Sequence, residues 1–242
     1  MINNSYLKNR VILMIGAGRY PGPGIALALA SLGATVATND LSPILLDPLH
    51  EAALSLSGTI KTYVADATKG MPLRAMLDEV MEDWGRIDVL INNPRVLPIV
   101  PLLDMDEWDW QRTMDMNLNG PFLVSKLVSR FMFEQGQGTI INIVDASEAI
   151  NQTGSAAYAA SQTGLLALSK AAARELIAYN IRVYTLCPDR NLLHNSQNTS
   201  ESVSSILPKQ AENSELAKMI SELCSSSNVR SVEETIKVSY ST

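Results

Sequence analysis

The feature that most constrains the fold is the regular alternation of short apolar runs with longer helical patterns. Runs such as "RVILMIG" and "GTIINIV" are short and lack polar alternation, which is typical of strands buried on both faces of a parallel sheet. The segments between such runs place apolar residues three and four positions apart, which predicts amphipathic helices. Strands that alternate with helices predict an α/β fold with a doubly wound parallel sheet.

The predicted elements follow directly from this alternation. We predict six strands and a last edge strand, at "RVILMIG", "ATVATND", "TIKTYVAD", "RIDVLINN", "GTIINIVDAS", "IRVYTLCPD" and "ETIKVSY". A long helical segment over 105–133 is interrupted near Gly120 and Pro121, and residues 155–179 form an alanine-rich helix. Residues 189–214 are rich in Ser, Asn and Gln, which predicts a polar, mobile loop.

Length and composition exclude several classes of protein. The chain has 242 residues, which suits one α/β domain over residues 1–242. The net charge is −6 and no basic stripe occurs, so nucleic acid is not expected as a partner. Cys187 and Cys224 form no disulfide framework, and His50 and His194 lack the spacing of metal ligands. There is neither a signal-peptide pattern nor an apolar run of about 18 residues, so we expect a cytoplasmic protein without a membrane segment.

A glycine-rich turn follows the first predicted strand. In "GAGRYPGPG", Gly16, Gly22 and Gly24 lie between strand and helix, where backbone N–H groups and a helix N-terminus can bind a pyrophosphate. Pro21 and Pro23 supply no N–H group to such a ligand. Each lost hydrogen bond to an anion weakens binding by roughly 1.5–3 kcal/mol. The turn therefore predicts a nucleotide site that is weakened or lost.

Several motifs in fixed order resemble the short-chain dehydrogenase/reductase family. They are the glycine turn, an Asp at the end of the second strand, and then "AD", "INN", "MNLNG", "NI" and "YAAS". The resemblance runs from about Val11 to Pro188 and, weakly, over the last helix. It implies a Rossmann-type domain that binds NAD or NADP, a tyrosine that passes a proton to the substrate, and dimers or tetramers packed through long helices. The family usually has three residues between its first two loop glycines, whereas this chain has five.

The resemblance also assigns residues to the cofactor. Asp40 matches the acidic residue that accepts hydrogen bonds from the adenosine ribose, which favours NAD over NADP. Asp66 matches the residue that meets the adenine amino group, although an aspartate there also suits a helix N-terminus. Asn92 and Asn93 match the family's NNAG motif, but Arg95 replaces its glycine and is large enough to enter the space of the cofactor.

The reaction centre departs furthest from the family, which uses a Ser, a Tyr, a Lys and an Asn. Tyr158 and Asn117 match the tyrosine and the asparagine. Asp145 stands at the serine position and Gln162 at the lysine position. Lys170 lies eight residues beyond Gln162, about 12 Å along the helix, and cannot replace the missing lysine.

Electrostatics indicate what these replacements do to the tyrosine. An ordinary phenol has a pKa near 10, and lowering it by about three units takes roughly 4 kcal/mol of interaction with the anion. Gln162 carries no charge, and an ionised Asp145 disfavours a neighbouring phenolate. We therefore expect Tyr158 to transfer protons poorly at neutral pH.

Three functions remain open at this point. The first is a non-catalytic subunit that supports a homologous active subunit in a heterotetramer, with NAD bound by the partner. It resembles the inactive subunit of the alcohol dehydrogenase of anaerobic toluene degradation, whose substrate is a benzylsuccinyl-CoA derivative. The second is an active NAD-dependent oxidoreductase with an atypical site. The third is a cofactor-free lyase in which Asp145 and Tyr158 act as a hydrogen-bonded acid–base pair.

Overall fold

The structure, a computed structural model, describes residues 7–54, 58–93, 95–145, 152–188, 215–224 and 235–238. Its strands are β1 (Val11–Ile15), β2 (Thr35–Asp40), β3 (Thr59–Val64), β4 (Val89–Asn92), β5 (Gly138–Ile143), β6 (Ile181–Pro188) and β7 (Thr235–Val238). Its α-helices are α1 (Gly22–Ser31), α2 (Pro43–Ala53), α3 (Gly70–Trp84), α4 (Glu107–Met114), α5 (Gly120–Glu134), α6 (Ala156–Leu176) and α7 (Glu215–Leu223).

The seven strands form one parallel sheet in the order β3-β2-β1-β4-β5-β6-β7. The chain winds outward from β1 to β3 and then returns to place β4 against the other side of β1. The winding direction therefore reverses between β1 and β4. In sheets of this kind, ligands bind in the crevice outside the carboxyl ends of the strands at such a reversal.

Two apolar cores cover the two faces of the sheet. Side chains alternate along β1, so Ile12 and Met14 join one core while Leu13 and Ile15 join the other. The first core packs the sheet against α1, α2 and α7, and the second packs it against α3, α5 and α6. This burial on both faces explains why the strands read as apolar runs.

The predicted fold is confirmed: the six strands, the edge strand and the doubly wound parallel sheet are all present. One helix was missed, since α2 begins at Pro43 and contains Pro48, which hid its pattern. The interruption predicted near Gly120 is a π-helical turn over Asp115–Asn119, between α4 and α5. The loop predicted over 189–214 lies outside the described residues.

For membrane segments and metal sites, the structural findings apply to the described residues only. In these ranges, the helices are either too short or too polar to cross a bilayer. In the same ranges, His, Cys, Asp and Glu side chains do not gather in threes as a metal ion requires.

We predict that Gly22→Ala destabilises the protein because the start of α1 lies close to the backbone of Ala17, in the loop after β1. A methyl group there would lie 2.5 Å from the carbonyl oxygen of Ala17, a backbone atom that cannot yield without moving the loop. Overpacking of this kind lowers the free energy of unfolding by about 1–3 kcal/mol. Gly70→Ala is the matched control, since Gly70 also begins a helix and its added methyl group meets nothing within 4 Å. Urea unfolding of both variants measures the difference, and equal stabilities would contradict the prediction.

Candidate active site

Tyr158, Asp145 and Gln162 form one hydrogen-bonded cluster at the carboxyl end of β5. The Tyr158 hydroxyl donates to Oδ2 of Asp145 at 2.9 Å. The backbone amide of Asp145 donates to Oε1 of Gln162 at 2.8 Å. Gln162 follows Tyr158 by one turn of α6, so both side chains reach the strand end from the same face of the helix.

Burial and charge both act on the Tyr158 phenol. Tyr158 is 0% exposed, and Asp145 and Gln162 are each 3% exposed. Burial raises the pKa of Tyr158, the charge of Arg95 lowers it, and the charge and hydrogen bond of Asp145 raise it again. The net shift of the pKa is upward, so the phenol in this cluster stays protonated at neutral pH.

Asn117 lies in the π-helical turn and fixes the segment after β4. Its Oδ1 accepts a hydrogen bond from the amide of Val96 and its Nδ2 donates to the carbonyl of Val96, both at 2.9 Å. Nδ2 also donates to Oγ of Ser161 at 3.1 Å, and the Ser161 hydroxyl donates to the carbonyl of Tyr158 at 2.8 Å. Asn117 thus joins the backbone beside Arg95 to the helix that carries Tyr158.

The loop between β1 and α1 uses its amides inside the protein. The amide of Gly22 donates to the carbonyl of Arg19 at 2.7 Å. The amide of Gly18 donates to Oδ2 of Asp40 at 3.2 Å, and the other carboxylate oxygen of Asp40 accepts from the amide of Leu41 at 2.8 Å. These contacts make Asp40 a brace for the loop, and they occupy donors that a phosphate would need.

Asn93 holds the same loop from the β4 side. Its Nδ2 donates to the carbonyls of Gly16 and Arg19, at 3.0 and 3.1 Å. The sequence matched Asn93 to a motif but did not reveal this contact, because the partners lie more than 70 positions away in the chain. Neighbouring Asn92 is fully buried and donates to Oδ1 of Asn142 at 2.8 Å, which ties β4 to β5.

A cleft opens at the carboxyl ends of β1 to β4. It contains about 420 Å³ of empty space, part of it open to solvent. Its lining includes apolar side chains, two carboxylates and two arginines: Ile15, Gly16, Arg19, Asn39, Asp40, Leu41, Ala65, Asp66, Ala67, Thr68, Arg95, Met116 and Gly120. Oδ1 of Asp66 accepts hydrogen bonds from the amide and hydroxyl of Thr68, at 2.9 and 2.6 Å, which stabilises the turn before α3.

Comparison with known proteins identifies the family. The model of the short chain dehydrogenase family matches residues 10–201. A 3-oxoacyl-[acyl-carrier-protein] reductase, FabG, of Thermotoga maritima is 35% identical over 182 residues, which cover 75% of this chain and 74% of the relative. The D-threitol dehydrogenase of Mycolicibacterium smegmatis is 31% identical over 182 residues, 75% of this chain and 70% of the relative.

The chain belongs to the short-chain dehydrogenase family. Solved structures of the family agree with the fold. A metagenomic short-chain oxidoreductase in complex with NADP has a TM-score of 0.74 and 27% identity, with 97% of each chain covered. An NAD⁺-bound xylitol dehydrogenase has a TM-score of 0.72 and 27% identity, with 85% of this chain and 84% of that chain covered.

Within this family fold, the predicted site residues fall into two groups. Tyr158, Asp145 and Gln162 lie together, and Asn117 is joined to them through Ser161. The predicted cofactor residues are spread more widely. Gly16, Asp40 and Asp66 line the cleft, whereas Gly22, Gly24 and Asn92 are buried outside its lining.

Arg95 is related to both groups of residues. The sequence indicated its role only through the size of its side chain. It lines the cleft, and its charge acts on Tyr158. The signal in the sequence was a large cation where the family has a glycine.

We predict that native Tyr158 does not ionise near neutral pH. Its pKa is raised in the folded chain, whereas an unfolded tyrosine ionises near pH 10. Above about pH 10 the unfolded chain therefore binds fewer protons than the native one, so Tyr158 makes the free energy of unfolding fall as the pH rises through that range. Tyrosinate absorbance of the wild type minus that of Tyr158→Phe measures the ionisation directly.

Gln162→Lys provides the matched comparison for this titration. A cation one helical turn from the phenol is expected to shift its ionisation to lower pH. An increase in tyrosinate absorbance from Tyr158 near neutral pH in the wild type would contradict the prediction that this phenol stays protonated there.

Proposed function

We propose that this chain is a non-catalytic subunit that supports an active, NAD-dependent short-chain dehydrogenase subunit in a hetero-oligomer. The observation that carries the proposal is the buried hydrogen bond from the Tyr158 hydroxyl to Asp145, in a cluster where Gln162 stands at the lysine position. The chain belongs to a family of oxidoreductases. The proposal is that this chain does not itself catalyse the reaction of the complex.

The proposal is supported by the balance of interactions at the phenol. A tyrosine that exchanges protons at pH 7 needs about 4 kcal/mol of stabilisation of its phenolate. Arg95 contributes in that direction, but burial and the Asp145 carboxylate outweigh it. Gln162 accepts the Asp145 amide through its oxygen and brings no positive charge. The cluster therefore favours the neutral phenol.

We further propose that this chain binds NAD weakly or not at all and that the partner binds the dinucleotide. The amides of Gly18 and Gly22 already donate within the protein, and Pro21 and Pro23 have no N–H group. Each hydrogen bond to a phosphate that is not made weakens binding by roughly 1.5–3 kcal/mol. Two or three such losses are enough to bring a micromolar affinity to the millimolar range.

The outer faces of α5 and α6 are the proposed contact with a homologous active subunit in a heterotetramer. On α6, Ala160, Ala167 and Ala171 are exposed, and their spacing of seven and four places them on one side of the helix. On α5, Phe122 and Phe133 are 44% and 59% exposed. Small residues permit close helix approach and aromatic residues supply apolar area, which together suit a helix–helix interface.

The substrate of the complex is proposed from the relatives. Several of them are 3-oxoacyl-[acyl-carrier-protein] reductases, including the one at 35% identity. We therefore propose that the active partner interconverts a hydroxyl and a keto group on an acyl thioester, such as a hydroxyacyl-CoA.

A cofactor-free lyase is the second candidate, since the hydrogen bond between Tyr158 and Asp145 provides the acid–base pair that it requires. Both side chains are closed off from solvent, which argues against direct contact with a substrate. Turnover without any nicotinamide that is lost in Asp145→Asn would favour this candidate.

We predict that the isolated chain does not reduce a 3-oxoacyl thioester with NADH or NADPH, because the buried Tyr158 hydroxyl already donates its hydrogen bond to Asp145, and its raised pKa makes it a weak proton donor toward a carbonyl oxygen. Co-expression with an active short-chain dehydrogenase encoded beside its gene is expected to give a mixed, active oligomer. In that complex, Tyr158→Phe in this chain should leave kcat unchanged, whereas the equivalent Tyr→Phe change in the partner should abolish turnover. An isolated chain that is active, and loses its activity in Tyr158→Phe, would overturn the proposal.

We also predict that Ala167→Glu prevents assembly of the mixed oligomer, because it places a charge among the small residues of α6. Ile44→Glu is the control, since Ile44 is 77% exposed on α2, on the other face of the sheet. Size-exclusion chromatography with light scattering should show subunits that are separate in the first variant and assembled in the second. Unchanged assembly in Ala167→Glu would contradict the assigned interface.

A further inference from the structure

Part of the cleft lining is suited to a nucleoside. Ile15, Leu41, Ala65 and Ala67 form apolar walls on which a flat base can pack. The carboxylates of Asp40 and Asp66 lie in the same lining and can accept further hydrogen bonds, because each carboxylate has about four lone-pair sites. This part of the cleft lining therefore retains the chemistry that recognises a base and its ribose.

Arg95 belongs to the same cleft lining. The backbone beside it is held by the two hydrogen bonds between Val96 and Asn117, so the start of its side chain is fixed. The side chain is partly buried, lines the cleft and lies near enough to Tyr158 for its charge to act on the phenol. Arg95 thus belongs to the cleft lining and also acts on the Tyr158 cluster.

We propose that Arg95 makes this cleft a site for a nucleoside monophosphate, by excluding the second half of a dinucleotide and binding a terminal phosphate with its guanidinium. A guanidinium presents several N–H donors in a planar fork that matches phosphate oxygens. The guanidinium would bind the phosphate in place of the amides of the β1–α1 loop, which donate to groups of the protein instead.

The place of Arg95 in the cleft lining is consistent with the shorter ligand. Arg95 is partly buried there and its charge acts on Tyr158, so a dinucleotide that extends from the cleft toward Tyr158 meets this side chain. The second nucleoside would therefore have to displace a charged side chain from its position. This inference extends the proposed function, and it rests on the weak binding of NAD that is proposed there.

Calorimetric titration of the full chain with 5′-AMP, adenosine and NAD tests the proposal. We expect saturable binding of 5′-AMP, with adenosine and NAD each at least tenfold weaker, since both lack a terminal phosphate in reach of Arg95. Arg95→Ala should weaken 5′-AMP at least tenfold and bring NAD closer to it, and Arg95→Lys, which keeps the charge without the fork, should fall between.

Arg130→Ala is the control for the loss of one positive charge. Arg130 is exposed and lies ten residues after Gly120, which lines the cleft, so it is about 15 Å away along α5. Its replacement should leave all three affinities unchanged. If Arg95→Ala does not fold, as judged by circular dichroism, Arg95→Gln replaces it with a shorter, polar side chain that carries no charge.

The outcomes separate this proposal from the proposed function. Equal binding of 5′-AMP and adenosine, no binding of 5′-AMP, or an unchanged 5′-AMP affinity in Arg95→Ala would overturn the mononucleotide site and leave the non-catalytic role standing. Tight binding of NAD by the wild type would overturn both the mononucleotide site and the proposed weak binding of NAD. A 5′-AMP site that depends on Arg95, in a chain that forms no mixed oligomer, would remove only the partner-subunit role.

Discussion

The parallel pairing of β1 with β4 is the constraint on which the rest of the molecule depends. It reverses the winding of the sheet and leaves a crevice where the carboxyl ends of the central strands meet. Each strand then delivers one residue to the same edge: Gly16 after β1, Asp40 at the end of β2, Asp66 after β3, Arg95 beyond β4 and Asp145 beyond β5. Residues far apart in sequence therefore share one site because of the topology.

Much of the fold could be predicted from the sequence because burial leaves a direct trace in it. Strands covered on both faces read as unbroken apolar runs, and α6 keeps the spacing of a helix over its whole length. The helix α2 left a poorer trace, since Pro43 and Pro48 are residues that usually mark a break. Pro43 is tolerated at the first turn, where its missing N–H group has no intrahelical partner.

The candidate site could be predicted in part, and the limit lies in long-range contacts. Tyr158 and Gln162 are four apart on a helix, so their common face follows from the sequence. That Asp40 braces the loop through the amide of Gly18, and that Asn93 binds the carbonyls of the loop, depends on how distant segments pack. Local sequence patterns carry no information about such partners. These side chains could therefore be named as candidates, but the hydrogen bonds that they make could not be predicted.

Arg95 and a lysine at position 162 would approach the Tyr158 phenol from different elements. A lysine on α6 would approach the phenol from the helix and leave the cleft open, but Gln162 stands there. Arg95 approaches from the β4 side and lies in the cleft itself. Among the described residues, its charge is the one that lowers the pKa of Tyr158. In the mononucleotide site proposed above, a dinucleotide would have to displace this side chain, so electrostatic support of the phenolate and access of the nicotinamide half would compete.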